Sequence, residues 1–392
     1  MPDDTVTLII ETPTGAYVRT VPAASPLRDD LDHGAGAEEA TQDAAAVWGL
    51  PDFVYRGGIV RAGPGSREIG DRLLIVGNLG VVIQVKSRGA VTSDAAREQR
   101  WLTKHIATGL RQAHGTIRRL RLEPRPLTNG RGRTVLVDAA QIKWVAVVVV
   151  NHPEVPENVF CEVSGEPNPS VVLVRRDWEF LFAQLKSSHA VAQYLARVAG
   201  DSSELGTEPV RYYELAQADE QAEPGFIDPR FLARGERRFS TPLLPMAPAD
   251  FDERPQLLVR LIFEDIATAV DQSTAEEDRV RFLAELDRLP VSARSEVGGF
   301  LLEAMQALEG VQPGETTWRV RKVTVPFGGE RTVQLGFGLC SSEYSEMYRR
   351  MFASWVELRH HEAQEAMDEP ALLTTIGVVL TPPTSARTAV AL

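Results

Sequence analysis

The sequence predicts a two-domain α/β protein: a mixed β-sheet flanked by helices, followed by a smaller, helix-rich α+β domain. Three observations lead to this prediction. Apolar runs alternate with helical segments in the first half, a polar stretch rich in Pro, Gly and Asp separates Ala199 from Arg254, and 392 residues exceed one small core. We therefore expect four regions: a flexible lead-in over 1–34, a first domain over 35–200, a linker over 201–254 and a second domain over 255–392.

The elements of the first domain follow from apolar periodicity and from helix-breaking residues. An Ala-rich helix over Glu38–Trp48 ends before Gly49 and Pro51. Asp94 can cap a long helix that runs to about Leu122, and residues 178–198 form two further helical segments. Strands are expected at 53–60, 71–76, 81–85, 143–150 and 171–174. The resulting order, α, β, β, β, α, β, β, α, predicts helices on both faces of a mixed sheet.

A tight β-hairpin is predicted where the segment Gly77–Gly80 separates two apolar runs, because Gly and Asn adopt the positive φ angles of such turns. A turn at residues 78–79 sets Asp71 opposite Lys86, whereas a turn at 77–78 sets Asp71 opposite Gln84. Both registers place Asp71, Gln84 and Lys86 on one face, about 4.5 to 8 Å apart. A bulge that gives the intermediate register would separate them.

A carboxylate, an amide and an ammonium group on an apolar sheet face are costly to bury without partners. In one account, Asp71 and Lys86 form a cross-strand ion pair near an edge. In the other, Asp71 and the Gln84 oxygen bind Mg²⁺ with a backbone carbonyl, while Lys86 orients the attacking water and stabilises phosphate charge. The spacing D-x12-Q-x-K alone favours neither account.

The segment EIGDRLLIVGNLGVVIQVKSRGA, residues 68–90, resembles the core of PD-(D/E)xK nucleases, above all the nuclease-related domain (NERD) and Mrr-type restriction endonucleases. Asp71 matches the family aspartate, and Gln84-Val85-Lys86 matches the Q-x-K variant of its second motif. The helix before the motif is similar to the first core helix of the family, with Glu39 as its glutamate and Glu38 as the alternative. Residues 110–113 are similar to the glutamine-bearing helix that follows the hairpin.

This resemblance implies a restriction-endonuclease-like fold and a metal-dependent endonuclease that hydrolyses DNA, in prokaryotic defence or DNA repair. It implies Glu39, Asp71, Gln84 and Lys86 as catalytic residues, with Mg²⁺, or alternatively Mn²⁺, bound by Asp71, Gln84 and Glu39. RNA is an alternative substrate. Because Gln84 replaces a glutamate, metal binding should be weaker. The family also contains degenerate members, so a module that binds nucleic acid or a protein partner without cleavage is the alternative function.

A basic segment follows the motif. Between Arg97 and Arg133 there are ten Lys and Arg residues against two Glu, a local charge of +8 in a chain whose net charge is −12. We expect phosphate contacts from this segment. The candidate contact residues are Lys104, Arg111, Gln112, Arg118 and Arg119, with Arg121, Arg125, Arg131 and Arg133 further along. The alternative is that some solvate a helix face or pair with the acidic C-terminal half.

Composition excludes several other classes. The only two cysteines, Cys161 and Cys340, provide neither a disulfide framework nor a cysteine metal site. No apolar run is long enough for a membrane span, the acidic start lacks the pattern of a secretory signal, and we expect a cytoplasmic protein without membrane contact. The absence of a G-x4-G-K-[ST] loop argues against ATP hydrolysis.

The second domain has no family resemblance in the sequence. Its elements are predicted as helices at 257–270, 276–289, 295–308 and 344–367, a hairpin of strands at 318–325 and 332–339, and a last strand at 375–381. Its acidic character and the apolar residues of the last helix are suited to a protein partner or to a second copy in a homodimer.

Overall fold

The chain forms two compact units, one over Met1–Gln217 and Ala275–Ala284 and one over Ala218–Thr274 and Glu285–Leu392. Each unit has its own sheet. The computed structural model describes residues 5–12, 15–56, 59–62, 65–68, 72–163, 165, 168–221, 244–245, 253–269, 274–309, 311, 317–327, 331–341, 345–366, 372–380 and 390–391.

The first unit contains helices and strands that alternate along the chain. Its helices are α1 (His33–Trp48), α2 (Ala95–Leu120), α3 (Arg175–Leu185), α4 (Ser188–Val198) and α5 (Glu208–Gln221). Its strands are β1 (Val6–Thr12), β2 (Gly15–Val21), β3 (Val54–Arg56), β4 (Ile59–Ala62), β5 (Gly65–Glu68), β6 (Arg72–Val76), β7 (Leu79–Ser87), β8 (Arg125–Thr128), β9 (Thr134–Val137), β10 (Lys143–Asn151), β11 (Phe160–Cys161), β12 (Ser170–Val174) and β13 (Ser203–Glu204).

A five-stranded mixed sheet in the order β12-β10-β7-β6-β3 forms the centre of this unit. The strands β12, β10 and β7 are parallel, while β6 is antiparallel to both β7 and β3. Because β10 is covered on both faces, Val145–Val150 are almost fully buried. The predicted mixed sheet with flanking helices is confirmed; a restriction-endonuclease-like topology stays a prediction.

Side-chain alternation assigns the two faces of the sheet. Val82 and Ala146 lie in one apolar cluster with Ile117 of α2, and Val148 packs with Ile106 of the same helix, so α2 covers this face. Arg72 points to the other face, where its Nε donates to Gln42 Oε1 of α1 at 2.6 Å. Helices α1 and α3 are joined there by a hydrogen bond from the Trp178 indole to the Thr41 carbonyl.

Two segments differ from the sequence prediction. The expected lead-in over 1–34 contains the antiparallel pair β1 and β2 and the start of α1. The expected linker over 201–254 contains α5, in which Tyr212 and Tyr213 are buried and pack against Phe180. Polar composition predicted a linker, but the two tyrosines attach α5 to the first unit.

The predicted strand at 53–60 is also different. Phe53 closes a short 3-10 turn, Val54–Arg56 joins the central sheet as β3, and Ile59–Ala62 pairs with Gly65–Glu68 in a separate hairpin.

In the second unit, the predicted hairpin is confirmed between β14 (Trp318–Phe327) and β15 (Arg331–Cys340). The parallel strand β16 (Leu372–Leu380) and the short β17 (Val390–Ala391) complete its sheet. The helices are α6 (Arg254–Thr268), α8 (Val291–Glu309) and α9 (Ser345–Glu365), and α7 (Glu276–Asp287) begins in the first unit.

Glycines in the sheet of the second unit leave space for the aromatic side chains of α9. A Cβ added at Gly338 would lie 2.6 Å from the Tyr348 hydroxyl, and one at Gly336 would lie 2.8 Å from the Trp355 ring. Phe352 is fully buried between them. The close packing of α9 on the sheet therefore depends on these glycines.

Candidate active site and nucleic-acid interface

The β6–β7 hairpin adopts one of the two predicted registers. Val76 pairs with Leu79 and Arg72 with Ile83, so residues 77–78 form the turn. Gly77 has a φ of 58°, in the left-handed region that glycine tolerates. Asp71, a predicted catalytic and metal-binding residue, lies outside the described residues.

Gln84 occupies a buried position in β7. Its side chain shares the α2 face with Val82 and Lys86, and Val148 of β10 lies beside it in register. Gln84 is only 3% exposed, and its side-chain amide forms no hydrogen bond to another described residue. Its amide oxygen and nitrogen are not among the fully buried side-chain atoms that lack a hydrogen bond, so solvent or a ligand can reach them.

Lys86 contacts α2 at a defined point. Its Nζ donates a hydrogen bond to Gln112 Oε1 at 2.8 Å. Gly109, one turn earlier in α2, makes room for the lysine stem, since a Cβ there would lie 3.2 Å from Lys86 Cε and 2.9 Å from Val148 Cγ2. Gln112 was predicted as a nucleic-acid contact. The structure adds a role in holding the Lys86 ammonium group.

The two candidate glutamates lie on α1, on the opposite face of the sheet from α2. The carboxylate of Glu39 accepts a hydrogen bond from Arg28 at 3.0 Å. Glu38, the alternative, lies 3.9 Å from the guanidinium of Arg72, the residue that follows Asp71 in the chain. The structure therefore brings Glu38, rather than Glu39, close to the start of β6, on the sheet face opposite Gln84. Metal binding by Glu39 stays a prediction that requires its release from Arg28.

No group of three His, Cys, Asp or Glu side chains suited to a metal ion occurs among the described residues. Because Asp71 lies outside them, the predicted pair of Asp71 and Gln84 stays a prediction.

The exposed side of α2 carries a basic stripe, which we define as Arg97, Lys104, Arg111 and Arg118. These residues are spaced by seven, so they follow one line along the helix, with about 10 Å between neighbours and about 31 Å in total. All four are exposed. Arg111 donates to the Thr108 hydroxyl, and within the described part of the chain none of the four forms an ion pair.

Other arginines of the basic segment have partners within the chain. Arg119 donates to the Thr116 hydroxyl and Arg121 to Asn168 Oδ1. Three more form ion pairs: Arg125 with Glu123 at 2.9 Å, Arg131 with the buried Asp52 at 2.5 Å, and Arg133 with Glu276 at 3.3 Å. For these three, phosphate contact stays a prediction, and the pairs agree with the alternative in which the basic segment is compensated within the chain.

A polar network that the sequence did not reveal lies where β7 and β10 end. The guanidinium of Arg88 donates twice to the Glu98 carboxylate, at 2.9 Å each, and the Thr92 hydroxyl donates to the same group. The Arg88 hydrogen bond, more than any other cause, lowers the pKa of Glu98 to about 2. Only the three-dimensional proximity of these side chains identifies the network.

The network extends to His152 and to two aromatic rings of α2. His152 Nδ1 accepts from the Glu154 backbone, so Nε2 donates to Glu98 at 3.1 Å. Burial lowers the pKa of His152. Trp101 lies 5.7 Å from this ring and stacks on His105 at 4.3 Å.

The chain matches no protein-family model, no curated protein and no solved structure. None of the helices in the described ranges has the length and apolar character that crossing a membrane requires. The residues of the site are therefore the basis for a functional inference.

Proposed function

We propose that the first unit is a metal-dependent phosphodiesterase of the PD-(D/E)xK type that hydrolyses DNA. The observation that carries the proposal is the buried Gln84 amide, which has no partner among the described residues and shares its sheet face with Lys86. Because this amide is not committed to a protein partner and its polar atoms are not fully enclosed, its oxygen is available to a ligand.

The donor set is suited to Mg²⁺. Of the two predicted registers, the described residues of β6 and β7 adopt the one for which the sequence predicted Asp71 opposite Gln84. A carboxylate oxygen and an amide oxygen are hard ligands, which Mg²⁺ prefers, and Mn²⁺ accepts the same set. Because Glu38 and Glu39 lie across the sheet from Gln84, water molecules would complete the coordination of an ion on the α2 face. The bound ion would polarise the phosphate and lower the pKa of a bound water.

The other side chains have separate tasks. Lys86 presents a positive charge for the phosphate, and Gln112 fixes the position of its Nζ. The buried Val148 and Val150 of β10 lie beside Gln84 and Lys86 in register. The basic stripe on α2 neutralises phosphates along the strand that approaches the site.

A second candidate function, a nucleic-acid-binding module without cleavage, is favoured by one contact, the hydrogen bond by which Arg28 holds the Glu39 carboxylate. In such a module Gln84 would be a remnant of a metal ligand, and DNA or a protein partner would bind independently of metal. RNA is the alternative ligand for either function.

Cleavage of DNA by the purified protein distinguishes the two functions. The phosphodiesterase requires cleavage in Mg²⁺ or Mn²⁺ that EDTA abolishes. Binding of DNA that is equally strong with and without metal, with no cleavage in either, supports the binding module and contradicts the phosphodiesterase.

A further inference from the structure

Trp101 and His105 form a stacked aromatic pair on α2. Their ring centroids are 4.3 Å apart and the ring planes are inclined by 25°. Both side chains are partly exposed. The ring of Trp101 is restrained, because it packs against the apolar cluster around Val150 and lies 5.4 Å from the guanidinium carbon of Arg88. The aromatic pair is therefore held firmly at the surface.

The surroundings of His105 are positively charged. Burial lowers the pKa of His105, and the charges of Lys104, Lys86 and Arg88 lower it further. These three cations lie around one imidazole, and Lys86 belongs to the hairpin that carries the proposed active site. Arg88 is paired with the Glu98 carboxylate. Lys86 and Lys104 form no ion pair within the described residues, so they offer positive charge to an anionic partner.

The imidazole of His105 has no hydrogen-bonding role in the fold. Within the part of the chain that the structure describes, it forms no hydrogen bond, and it stacks on Trp101. A histidine placed only to support the fold usually donates or accepts a hydrogen bond, as His114 and His152 do.

We propose that the Trp101–His105 pair is a stacking platform for a nucleobase of an unpaired DNA strand. This inference rests on the proposed function and narrows its substrate to single-stranded DNA or a duplex with an unpaired end. In a duplex both faces of each base are covered by neighbouring bases, whereas an unpaired base can stack on an aromatic side chain. Lys104 and Lys86 are placed to neutralise the adjacent phosphates.

The test measures binding in EDTA, so that cleavage does not contribute. A labelled 12-nucleotide oligo(dT), an abasic strand with the same number of phosphates, and a blunt duplex are titrated with the wild-type protein, His105→Ala, Lys104→Ala and the control Thr103→Ala. Base stacking on one aromatic side chain contributes about 1–3 kcal/mol, which corresponds to roughly 5- to 150-fold in affinity.

If the pair is a stacking platform, His105→Ala should weaken the affinity for oligo(dT) at least about fivefold. Its affinities for the abasic strand and the duplex should stay within twofold of the wild-type values. Lys104→Ala weakens all three, because it removes only charge, and Thr103→Ala changes none. Trp101→Phe, which keeps an aromatic ring, retains most of the affinity for oligo(dT).

Equal weakening of oligo(dT) and the abasic strand by His105→Ala would overturn the platform, as would no change at all. Thermal unfolding of each variant verifies that the fold is retained. The proposed function is judged separately, by metal-dependent cleavage, so a nuclease that lacks strand preference contradicts only the platform.

Discussion

The Lys86 Nζ donates a hydrogen bond to Gln112 Oε1 across the contact between β7 and α2, at 2.8 Å. The two residues are 26 positions apart, and each lies on the element that a different part of the proposed function requires. Lys86 belongs to the motif strand, and Gln112 lies one residue beyond Arg111 of the basic stripe. The bond therefore couples the proposed chemical centre to the proposed DNA-binding helix.

Gln112 should act as a positioning residue. We expect Gln112→Ala to lower the cleavage rate by about 10- to 100-fold, a range typical of groups that orient a site residue, and to lower it more than it weakens DNA binding in EDTA. Gln112→Glu keeps an acceptor for Lys86 and should restore much of the rate. Gln99→Ala, on the same exposed helix, serves as the control. An unchanged cleavage rate in Gln112→Ala would show that the hydrogen bond has no role in catalysis.

Gly109 should be required for the packing of α2 over Lys86. An added Cβ would lie 2.9 Å from Val148 Cγ2, so Gly109→Ala should lower the free energy of unfolding of the first unit by about 1–3 kcal/mol. Gly115, in the same helix, has open space at its Cβ position, and Gly115→Ala should be neutral or stabilising by up to about 1 kcal/mol. Urea denaturation measures both changes. Equal effects of the two substitutions would contradict the close approach at Gly109.

Gln84 should determine metal affinity. We expect Gln84→Glu to bind Mg²⁺ more tightly, because the substitution adds a negative charge to the ligand set. Without metal, the same variant should melt at a lower temperature, since its buried carboxylate lacks a partner. A Mg²⁺ concentration of about 100 times Kd should raise the free energy of unfolding by about 2.7 kcal/mol. Thermal unfolding against Mg²⁺ concentration measures this, and an identical Mg²⁺ response in wild type and variant would argue against a metal site at position 84.

Glu98 should make stability depend on pH. Because its pKa is lowered to about 2 from an ordinary value of 4.5, the ionised carboxylate stabilises the folded state above pH 4.5. This contribution is lost as the pH falls from 4.5 through 2. The difference in melting temperature between wild type and Glu98→Gln should therefore be largest near neutral pH and shrink in acid. The exposed Glu123→Gln is the control, and a pH-independent difference for Glu98→Gln would contradict this assignment.

The basic stripe should account for the salt dependence of DNA binding. Replacement of Arg111 by alanine removes one phosphate contact and should reduce the slope of log affinity against log salt by about 0.9. Arg125→Ala removes a side chain that is paired with Glu123, so its effect on the slope should be small. Filter binding on duplex DNA at several salt concentrations compares the two variants. Equal slopes for wild type and Arg111→Ala would show that the stripe does not contact phosphate.

Much of the first unit could be predicted from local signals. The Asp94 side chain caps α2 at the Arg97 amide, and the apolar runs became β7, β10 and β12. The turn at 77–78 was one of two registers open to the sequence, because Gly and Asn fit either turn. The two registers differ by two residues and keep the same side chains on each face, so the alternation of apolar residues alone could not choose between them.

The remaining features depend on contacts between residues far apart in the chain. Asp52 and Arg131 are separated by 79 positions, and no periodicity indicates that they pair. The same holds for Arg28 and Glu39, and for the tyrosines that attach α5 to the first unit. The charge density of the basic segment predicted many phosphate contacts. Because several of its arginines pair within the chain, the basic stripe on α2 is the main surface left for phosphate contact.

Cleavage of supercoiled plasmid and of single-stranded DNA tests the central claim most directly. The purified protein is incubated with each substrate in Mg²⁺, Mn²⁺ and EDTA, beside Lys86→Ala, Asp71→Asn and Lys143→Ala, an exposed lysine at the far end of β10. We predict metal-dependent cleavage by the wild type and by Lys143→Ala, and a loss of at least about 100-fold in the other two. Folded wild-type protein that binds DNA but cleaves neither substrate in any condition would contradict the phosphodiesterase.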